Sequence, residues 1–179
     1  YFQHILKHHI DLRLGVNLKE IKADENGFVS SVLIKETDEE IPCNLVGLTA
    51  GVSPNISFLK SSEIETNKGV LVNPFLETNI KDVFAIGDCA EQREAIGNRK
   101  TIEAVWYTGR MMGETLAQTI CGNRVAYNPG HWFNSAKFFN IEYQTYGWVN
   151  AIPTPGNKHF HWMHSNEEKC ITIEYNQEK

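Results

Sequence analysis

The chain has 179 residues, of which 41% are hydrophobic, and a formal net charge of −5. This apolar share is enough to build a core, and the length allows one large domain or parts of two or three. The acidic balance gives no reason to expect nucleic acid or an anionic membrane surface as a partner. No apolar run approaches the roughly 18 residues of a membrane span. We therefore expect no nucleic acid and no membrane among the partners.

The four cysteines lie far apart, at Cys43, Cys89, Cys121 and Cys170, without a CxxC pair. This spacing argues against a zinc ribbon and against a disulfide framework. With no recognisable signal peptide at the start, it favours a reducing, cytoplasmic setting. The first residue, Tyr1, opens inside an apolar pattern without a methionine or a helix cap. We expect the chain to be a piece of a longer protein.

The first 51 residues predict a helix followed by a β-meander. Residues 2–10 carry apolar groups near helical spacing, and Asp24 to Gly27 form a hairpin turn signal. The strands that we predict around this turn are residues 11–15, 16–21, 28–35, 41–48 and, as a buried strand that ends the meander, 45–51.

A second buried strand is predicted at residues 83–86, after a turn at 67–69 and a strand at 70–72. It runs into Gly87 and ends on the carboxylate of Asp88. Glycine allows a ligand to approach the backbone closely, and a carboxylate accepts hydrogen bonds from hydroxyl groups. Open α/β sheets bind ligands beyond the carboxyl ends of their strands. The pattern therefore predicts a site for a sugar-like polyol; the alternative is a strand that simply ends in a turn.

A long amphipathic helix is predicted from Thr101 to Ile120, ended by Gly122. On this interpretation Glu103 belongs to its solvated surface. Gly109 and Gly113 lie inside the helix, where each glycine costs about 1 kcal/mol relative to alanine. We expect close packing against a neighbouring element to offset that cost.

The remainder, from Tyr127 onward, is rich in aromatic residues and predicts an antiparallel sheet. The alternating segments are residues 142–149, 159–164 and 170–175. His159, His161 and His164 lie close together in sequence, and imidazole is a common metal ligand. However, no cysteine or carboxylate is spaced to complete a tetrahedral site, so we predict no metal here.

Residues 78–88, with the sequence Thr-Asn-Ile-Lys-Asp-Val-Phe-Ala-Ile-Gly-Asp, resemble the second flavin-binding motif of the FAD-dependent pyridine nucleotide oxidoreductases. In that family the matching aspartate binds the ribitol chain of FAD. The resemblance therefore implies that Asp88 and Gly87 contact FAD.

Two further segments resemble parts of the rubredoxin and ferredoxin reductases in this family that meet the flavin ring. Residues 100–107 match the start of a helix whose free amides face the flavin, which implies contacts from Ala104, Val105 and Trp106. Residues 132–135 match a position beside the flavin, which implies Phe133 or Asn134. The alternatives are a capped helix with Trp106 in the core, and a plain sheet core.

The resemblance implies an α/β fold made of parts of two dinucleotide-binding domains and an incomplete α+β carboxy-terminal interface domain. Residues 1–55 would be the second half of the NAD(P)-binding domain, with its β-meander. Residues 56–125 would be the carboxy-terminal part of the FAD-binding domain, and residues 126–179 a truncated interface domain. The glycine-rich loops of both nucleotide sites would precede Tyr1.

The implied activity is that of an FAD-dependent NAD(P)H oxidoreductase, a flavoprotein that passes hydride from NAD(P)H to flavin and electrons on to an unknown acceptor. That acceptor would be a small molecule or a redox protein, and no side chain of this chain has to act as a catalytic acid or base. Homodimerisation through the carboxy-terminal domain is one arrangement the family implies. We expect the 179 residues alone to be inactive. The alternative is a non-catalytic α/β binding or dimerisation module.

Overall fold

A computed structural model describes residues 2–150, 152–166 and 168–176, with side chains from His4 onward. The chain divides into two compact units, residues 1–51 and residues 52–179. Within the described part, none of the helices combines the length and the apolar character that crossing a membrane requires.

The first unit consists of a short helix and a three-stranded antiparallel sheet. Helix α1 is Phe2–Lys7, and the strands are β1 (Leu18–Ala23), β2 (Val29–Ile34) and β3 (Glu40–Pro42), in the order β1-β2-β3. The predicted helix and the meander after it are confirmed.

The turn between β1 and β2 is held by Asp24. Its Oδ1 accepts hydrogen bonds from the backbone amides of Asn26 and Phe28, both at 2.9 Å. Gly27 has a φ of +83°, which favours glycine. The predicted hairpin signal is therefore confirmed.

Two strands predicted in this unit are wrong. Residues 11–15 are irregular. The chain leaves the sheet after Pro42, so the strand predicted at residues 41–48 is reduced to its first two residues in β3, and residues 45–51 form no strand. Leu45 is 86% exposed and Leu48 is 72% exposed. A parallel strand depends on neighbours on both sides. Among the described residues of this unit, no strand lies beside residues 45–51.

The second unit contains a parallel strand pair, one long helix and two antiparallel hairpins. Its elements are β4 (Val70–Val72), β5 (Ala90–Gln92), α2 (Trp106–Ile120), β6 (Phe133–Phe138), β7 (Ile141–Tyr146), β8 (Lys158–Met163) and β9 (Cys170–Tyr175). Short 3₁₀ turns occur at Ser57–Leu59 and Gly87–Cys89. The aromatic-rich segment thus forms two hairpins, and its predicted strands are confirmed within a few residues.

One face of α2 packs onto the parallel strand pair. The buried residues of the helix are Thr108, Met112 and Leu116, which are spaced four residues apart and so share a face. The core that they join contains Val72, Leu76, Ala90 and Tyr127. This packing fixes the helix against the strand pair and against the Gly87–Cys89 turn that leads into β5.

Helix α2 begins five residues later than predicted, at Trp106 rather than Thr101. Residues 101–105 are not helical: the amide of Gln92 donates to the Thr101 carbonyl at 2.9 Å, and the amide of Val105 donates to the Glu103 carbonyl at 2.9 Å. The predicted end is confirmed, since Gly122 has a φ of +93° and follows the last helical turn. A glycine in that conformation typically ends a helix.

Candidate functional site

The prediction of a buried strand at residues 83–86 is wrong: these residues are half-buried and extended, and their one ladder contact is an isolated bridge between Phe84 and Glu77. The amide of Thr78 donates to the Val83 carbonyl at 2.9 Å, and the amide of Ala85 donates to the Leu76 carbonyl at 3.1 Å. The chain then turns at Gly87–Cys89 and enters β5. The Gly-Asp pair therefore lies in front of β5, not beyond the carboxyl end of a sheet strand as predicted, because this segment pairs locally.

Gly87 and Asp88 form an open, polar turn. Gly87 has a φ of +75°, a conformation that favours glycine, and open space lies where its Cβ would be. The side chain of Asp88 is exposed. In the described part of the chain, no donor hydrogen-bonds to its carboxylate. Both oxygens are therefore available to a ligand.

Helix α2 packs directly against this turn. The Gly87 amide points at the sulfur of Met112, with 3.3 Å between N and Sδ. A Cβ on Gly109 would lie 3.6 Å from the Cα of Gly87, and one on Gly113 would lie 4.0 Å from Ile86 Cδ1. The expected close packing is confirmed at Gly109, where the helix meets the backbone of the turn, whereas Gly113 has room for a Cβ beside Ile86. The turn and the start of α2 share one surface.

The first turn of α2 has no side-chain cap. Val105 is the N-cap, in an extended conformation with φ −136° and ψ 134°. The amides of Trp106, Tyr107 and Thr108 find no acceptor among the described residues, whereas the Val105 amide already bonds to Glu103. Helix starts leave such donors for a ligand or solvent. Ala104 and Trp106 are exposed, and Trp106 at 68% exposure is not part of a core.

A buried ion pair lies immediately before the helix. Arg99 and Glu103 have side chains that are 7% and 6% exposed, and Arg99 Nε donates to Glu103 Oε1 at 2.7 Å. Arg99 Nη2 binds the second carboxylate oxygen, which also accepts from Thr108 Oγ1 at 3.2 Å. The prediction of a solvated Glu103 is wrong. The i,i+4 spacing of the two residues is equally typical of a surface pair, so the sequence carries no signal for its burial.

The hairpin β6–β7 contacts the helix start through Tyr107. The Tyr107 hydroxyl lies 2.8 Å from Ser135 Oγ, and its ring lies 5.0 Å from that of Phe133. Asn134 alternates with these residues along the strand and so lies on the opposite face. Its Oδ1 accepts a hydrogen bond from Thr145, its partner on β7. The structure thus brings Phe133 to the helix start, and Asn134 to the other side of the hairpin.

Two tryptophans that flank this hairpin in the sequence stack on each other. The rings of Trp132 and Trp148 are nearly parallel, at 5°, with centroids 4.9 Å apart. Arg99 lies 5.1 Å from the Trp132 centroid, and Lys100 lies 5.7 Å from that of Trp148. An open cleft of about 680 Å³ adjoins the pair and Arg99. The two rings are 16 positions apart and no local pattern links them, so the sequence carries no signal for this arrangement.

No group of three or more histidine, cysteine or carboxylate side chains could hold a metal ion within the residues that the structure describes. His161 Nδ1 and Thr172 Oγ1 lie 2.8 Å apart and share a hydrogen bond across β8 and β9.

The family profile described as "Pyridine nucleotide-disulphide oxidoreductase" matches residues 1–113 of this chain. The chain belongs to this family. Proteins of the family use FAD and NAD(P)H. The expected resemblance is therefore confirmed.

Two curated relatives are electron-transfer reductases. The chain is 32% identical to the 5,5'-dehydrodivanillate O-demethylase ferredoxin reductase subunit of Sphingobium sp. over 142 residues, which cover 78% of the chain and 34% of the relative. It is 36% identical to the NADH-rubredoxin oxidoreductase of Clostridium acetobutylicum over 125 residues, which cover 69% of the chain and 31% of that relative. The chain thus spans about a third of the length of these relatives.

Solved structures share the fold. A ferredoxin reductase from Rhodopseudomonas palustris matches with a TM-score of 0.82 at 21% identity, over 98% of this chain and 42% of that one. The putidaredoxin reductase–putidaredoxin complex matches with a TM-score of 0.75 at 17% identity, over 98% of this chain and 41% of that one. The mixed helix and sheet fold is that of this oxidoreductase family.

Proposed function

We propose that these residues are part of an FAD-dependent NAD(P)H oxidoreductase and that residues 87–88 and the start of α2 contact its flavin. One observation carries the proposal. Among the described residues, the exposed carboxylate of Asp88 has no donor and three amides at the start of α2 have no acceptor, and the elements that carry them pack directly against each other through Gly87 and Gly109. When bound, the flavin would supply the hydride and electron chemistry, and the chain's task is to bind and orient it.

Asp88 is the proposed acceptor for the hydroxyl groups of the ribitol chain. Its side chain is exposed, and hydrogen bonds to a charged carboxylate are stronger than those between neutral groups. Gly87 suits the same contact, because its positive φ and missing side chain let a ligand approach the backbone.

The helix start is the proposed partner of the flavin ring. Unpaired amides and the positive end of the helix dipole stabilise negative charge, such as that on a reduced flavin. Val105 and Ala104 would contribute through their position beside the ring, since the Val105 amide is bonded to Glu103. The donors would be the amides of Trp106, Tyr107 and Thr108.

The hairpin offers two alternative contacts for the flavin, Phe133 on one face of β6 and Asn134 on the other. Phe133 is supported by its approach to Tyr107 at the helix start. Asn134 would contact the flavin through its side-chain amide nitrogen, since its oxygen accepts from Thr145. Replacing each residue with alanine and comparing FAD affinities decides which face meets the cofactor.

The remaining parts of the proposal concern domains and partners. We assign residues 1–55 to an NAD(P)-binding domain, 56–125 to an FAD-binding domain and 126–179 to an interface domain through which the protein dimerises. The acceptor would be a small iron–sulfur or rubredoxin-type protein, in line with the names of the ferredoxin and rubredoxin reductases that the chain resembles.

The test is the visible spectrum of the full-length protein, followed by anaerobic titration with NADH and with NADPH. We expect a bound flavin that absorbs in the blue and is bleached by one of the two nucleotides. A full-length protein that purifies without flavin, and takes up none when FAD is added, would support the non-catalytic module instead.

A further inference from the structure

Arg99 joins two of the three segments that the proposed function assigns to the flavin, the start of α2 and the hairpin that begins with β6. On one side it binds both carboxylate oxygens of Glu103, two residues before the N-cap of α2. On the other side its Nη1 donates to the carbonyl oxygen of Pro129 at 3.0 Å and lies 3.4 Å from those of Gly130 and His131. One buried side chain thus connects the helix start to the segment that leads into β6.

The environment of the guanidinium leaves it little freedom. Its side chain is 7% exposed, and Thr108 of the first helical turn contacts both it and Glu103, at 3.4 Å and 3.2 Å. Trp132, the residue before β6, lies 5.1 Å from the guanidinium and stacks on Trp148. A shift of Arg99 would therefore change the contacts both at the helix start and at the tryptophan pair.

We propose that Arg99 is a positioning residue that holds the start of α2 and the β6 hairpin in the relation that flavin binding needs. This inference rests on the proposed function, since the flavin contacts are themselves proposals. Stability alone does not require the pair, because apolar residues of similar volume often replace a buried ion pair without loss. The planar guanidinium binds a carboxylate with two parallel hydrogen bonds and still has donors for the carbonyls, which a lysine ammonium cannot reproduce.

The experiment uses full-length protein and avoids an unpaired buried charge. Replacing Arg99 alone would leave Glu103 buried without its partner and could unfold the protein. The main variant is therefore Arg99→Met with Glu103→Leu, and Arg99→Lys is the conservative variant. The matched control is Arg93→Met, which removes an exposed ion pair with Glu65 of 2.6 Å. Two quantities are measured: the near-ultraviolet circular dichroism of the apoprotein and its dissociation constant for FAD.

We expect the double variant to unfold cooperatively, to lose part of the tryptophan dichroism and to bind FAD about tenfold more weakly or worse, as the loss of one or two positioning contacts would give. The FAD affinity of Arg99→Lys should lie between those of the double variant and the parent, and the Arg93→Met control should have the parent's affinity and dichroism. A folded double variant with the parent's affinity for FAD overturns the role of Arg99 and leaves the proposed function standing. A parent that binds no FAD overturns the proposed function, and this role with it.

Discussion

Gly109 of helix α2 rests on Gly87 of the Gly-Asp turn, where a Cβ added to Gly109 would come 3.6 Å from the Gly87 Cα. This contact brings the helix start onto the turn, and it makes position 109 sensitive to size. An alanine methyl group fits there at ordinary van der Waals distance, whereas a larger side chain would push the helix away.

We therefore expect opposite effects from two substitutions at position 109. Gly109→Ala should raise the free energy of unfolding by up to about 1 kcal/mol, because alanine favours the helix. Gly109→Leu should lower it by about 1–3 kcal/mol through overpacking, and should weaken FAD binding as well. Urea unfolding of the full-length protein measures both. Gly113→Ala is the control. If Gly109→Leu leaves the free energy of unfolding unchanged, Gly109 is not packed against Gly87.

Asp88→Ala should weaken FAD binding by the worth of a hydrogen bond to a charged group, about 1.5–3 kcal/mol. That corresponds to a rise in the dissociation constant of roughly tenfold to a hundredfold. Titration of apoprotein with FAD, followed by flavin fluorescence, gives the number. The control is Glu94→Ala, which also removes an exposed carboxylate from this unit. Equal affinities of the Asp88 variant and the parent would remove Asp88 from the site.

A proline at position 106 tests whether the helix amides face the flavin. Trp106 is the first helical residue and Val105 before it is extended, so proline fits both conformations. Trp106→Pro should lower the flavin midpoint potential relative to Trp106→Ala, which removes the same side chain but keeps the amide. One lost hydrogen bond of about 1 kcal/mol corresponds to roughly 20 mV for two electrons. Identical potentials in the two flavin-loaded variants would show that this amide does not face the ring.

Glu77 should make stability depend on acid pH. Arg124 donates to both its oxygens, at 3.0 and 2.9 Å, and these bonds, followed by one from Asn73, lower the pKa of Glu77. A lowered pKa means that the contribution is present above the unfolded-state pKa and is lost as pH falls through the folded-state value. Glu77→Gln should thus cost about 0.5 kcal/mol near pH 7, as for a partly exposed pair. The cost should vanish when both proteins are unfolded by urea below the carboxylate range; a cost that persists there would have another origin.

Tyr127 carries a buried hydroxyl that meets no hydrogen-bond partner at normal bonding geometry in the described part of the chain, although the Thr108 side chain lies close enough to act on its pKa. Burial is the main cause that raises the pKa of this phenol. Tyr127→Phe removes the unpaired group and keeps the ring in the core, so the free energy of unfolding should stay constant or rise by about 1 kcal/mol. Chemical unfolding at neutral pH measures the difference. A loss above about 1 kcal/mol would show that the hydroxyl does form a hydrogen bond, either to Thr108 or to an ordered water.

The elements that the sequence predicted correctly are those whose stabilising contacts are local. The hairpin at Asp24 depends on an aspartate that caps its own turn, and the end of α2 depends on Gly122, which accepts a positive φ. Strand β9 (Cys170–Tyr175) follows from its alternation of side chains and its β-branched residues. Each of these features can be recognised within about six consecutive residues, because the stabilising groups are neighbours in sequence.

The sequence by itself therefore determined the local turns, most of the strands and the family resemblance, whereas the turn that holds Gly87 and Asp88 was predicted as the end of a buried strand. Tertiary structure decided where α2 begins, because Glu103 pairs with Arg99 and Arg99 in turn binds carbonyls some 30 positions away. It also decided that Phe133 reaches the helix start while Asn134 lies on the far face of the hairpin. Burial of a charged side chain is settled by partners that are distant in sequence, since only they replace its lost hydration, and no local pattern records them.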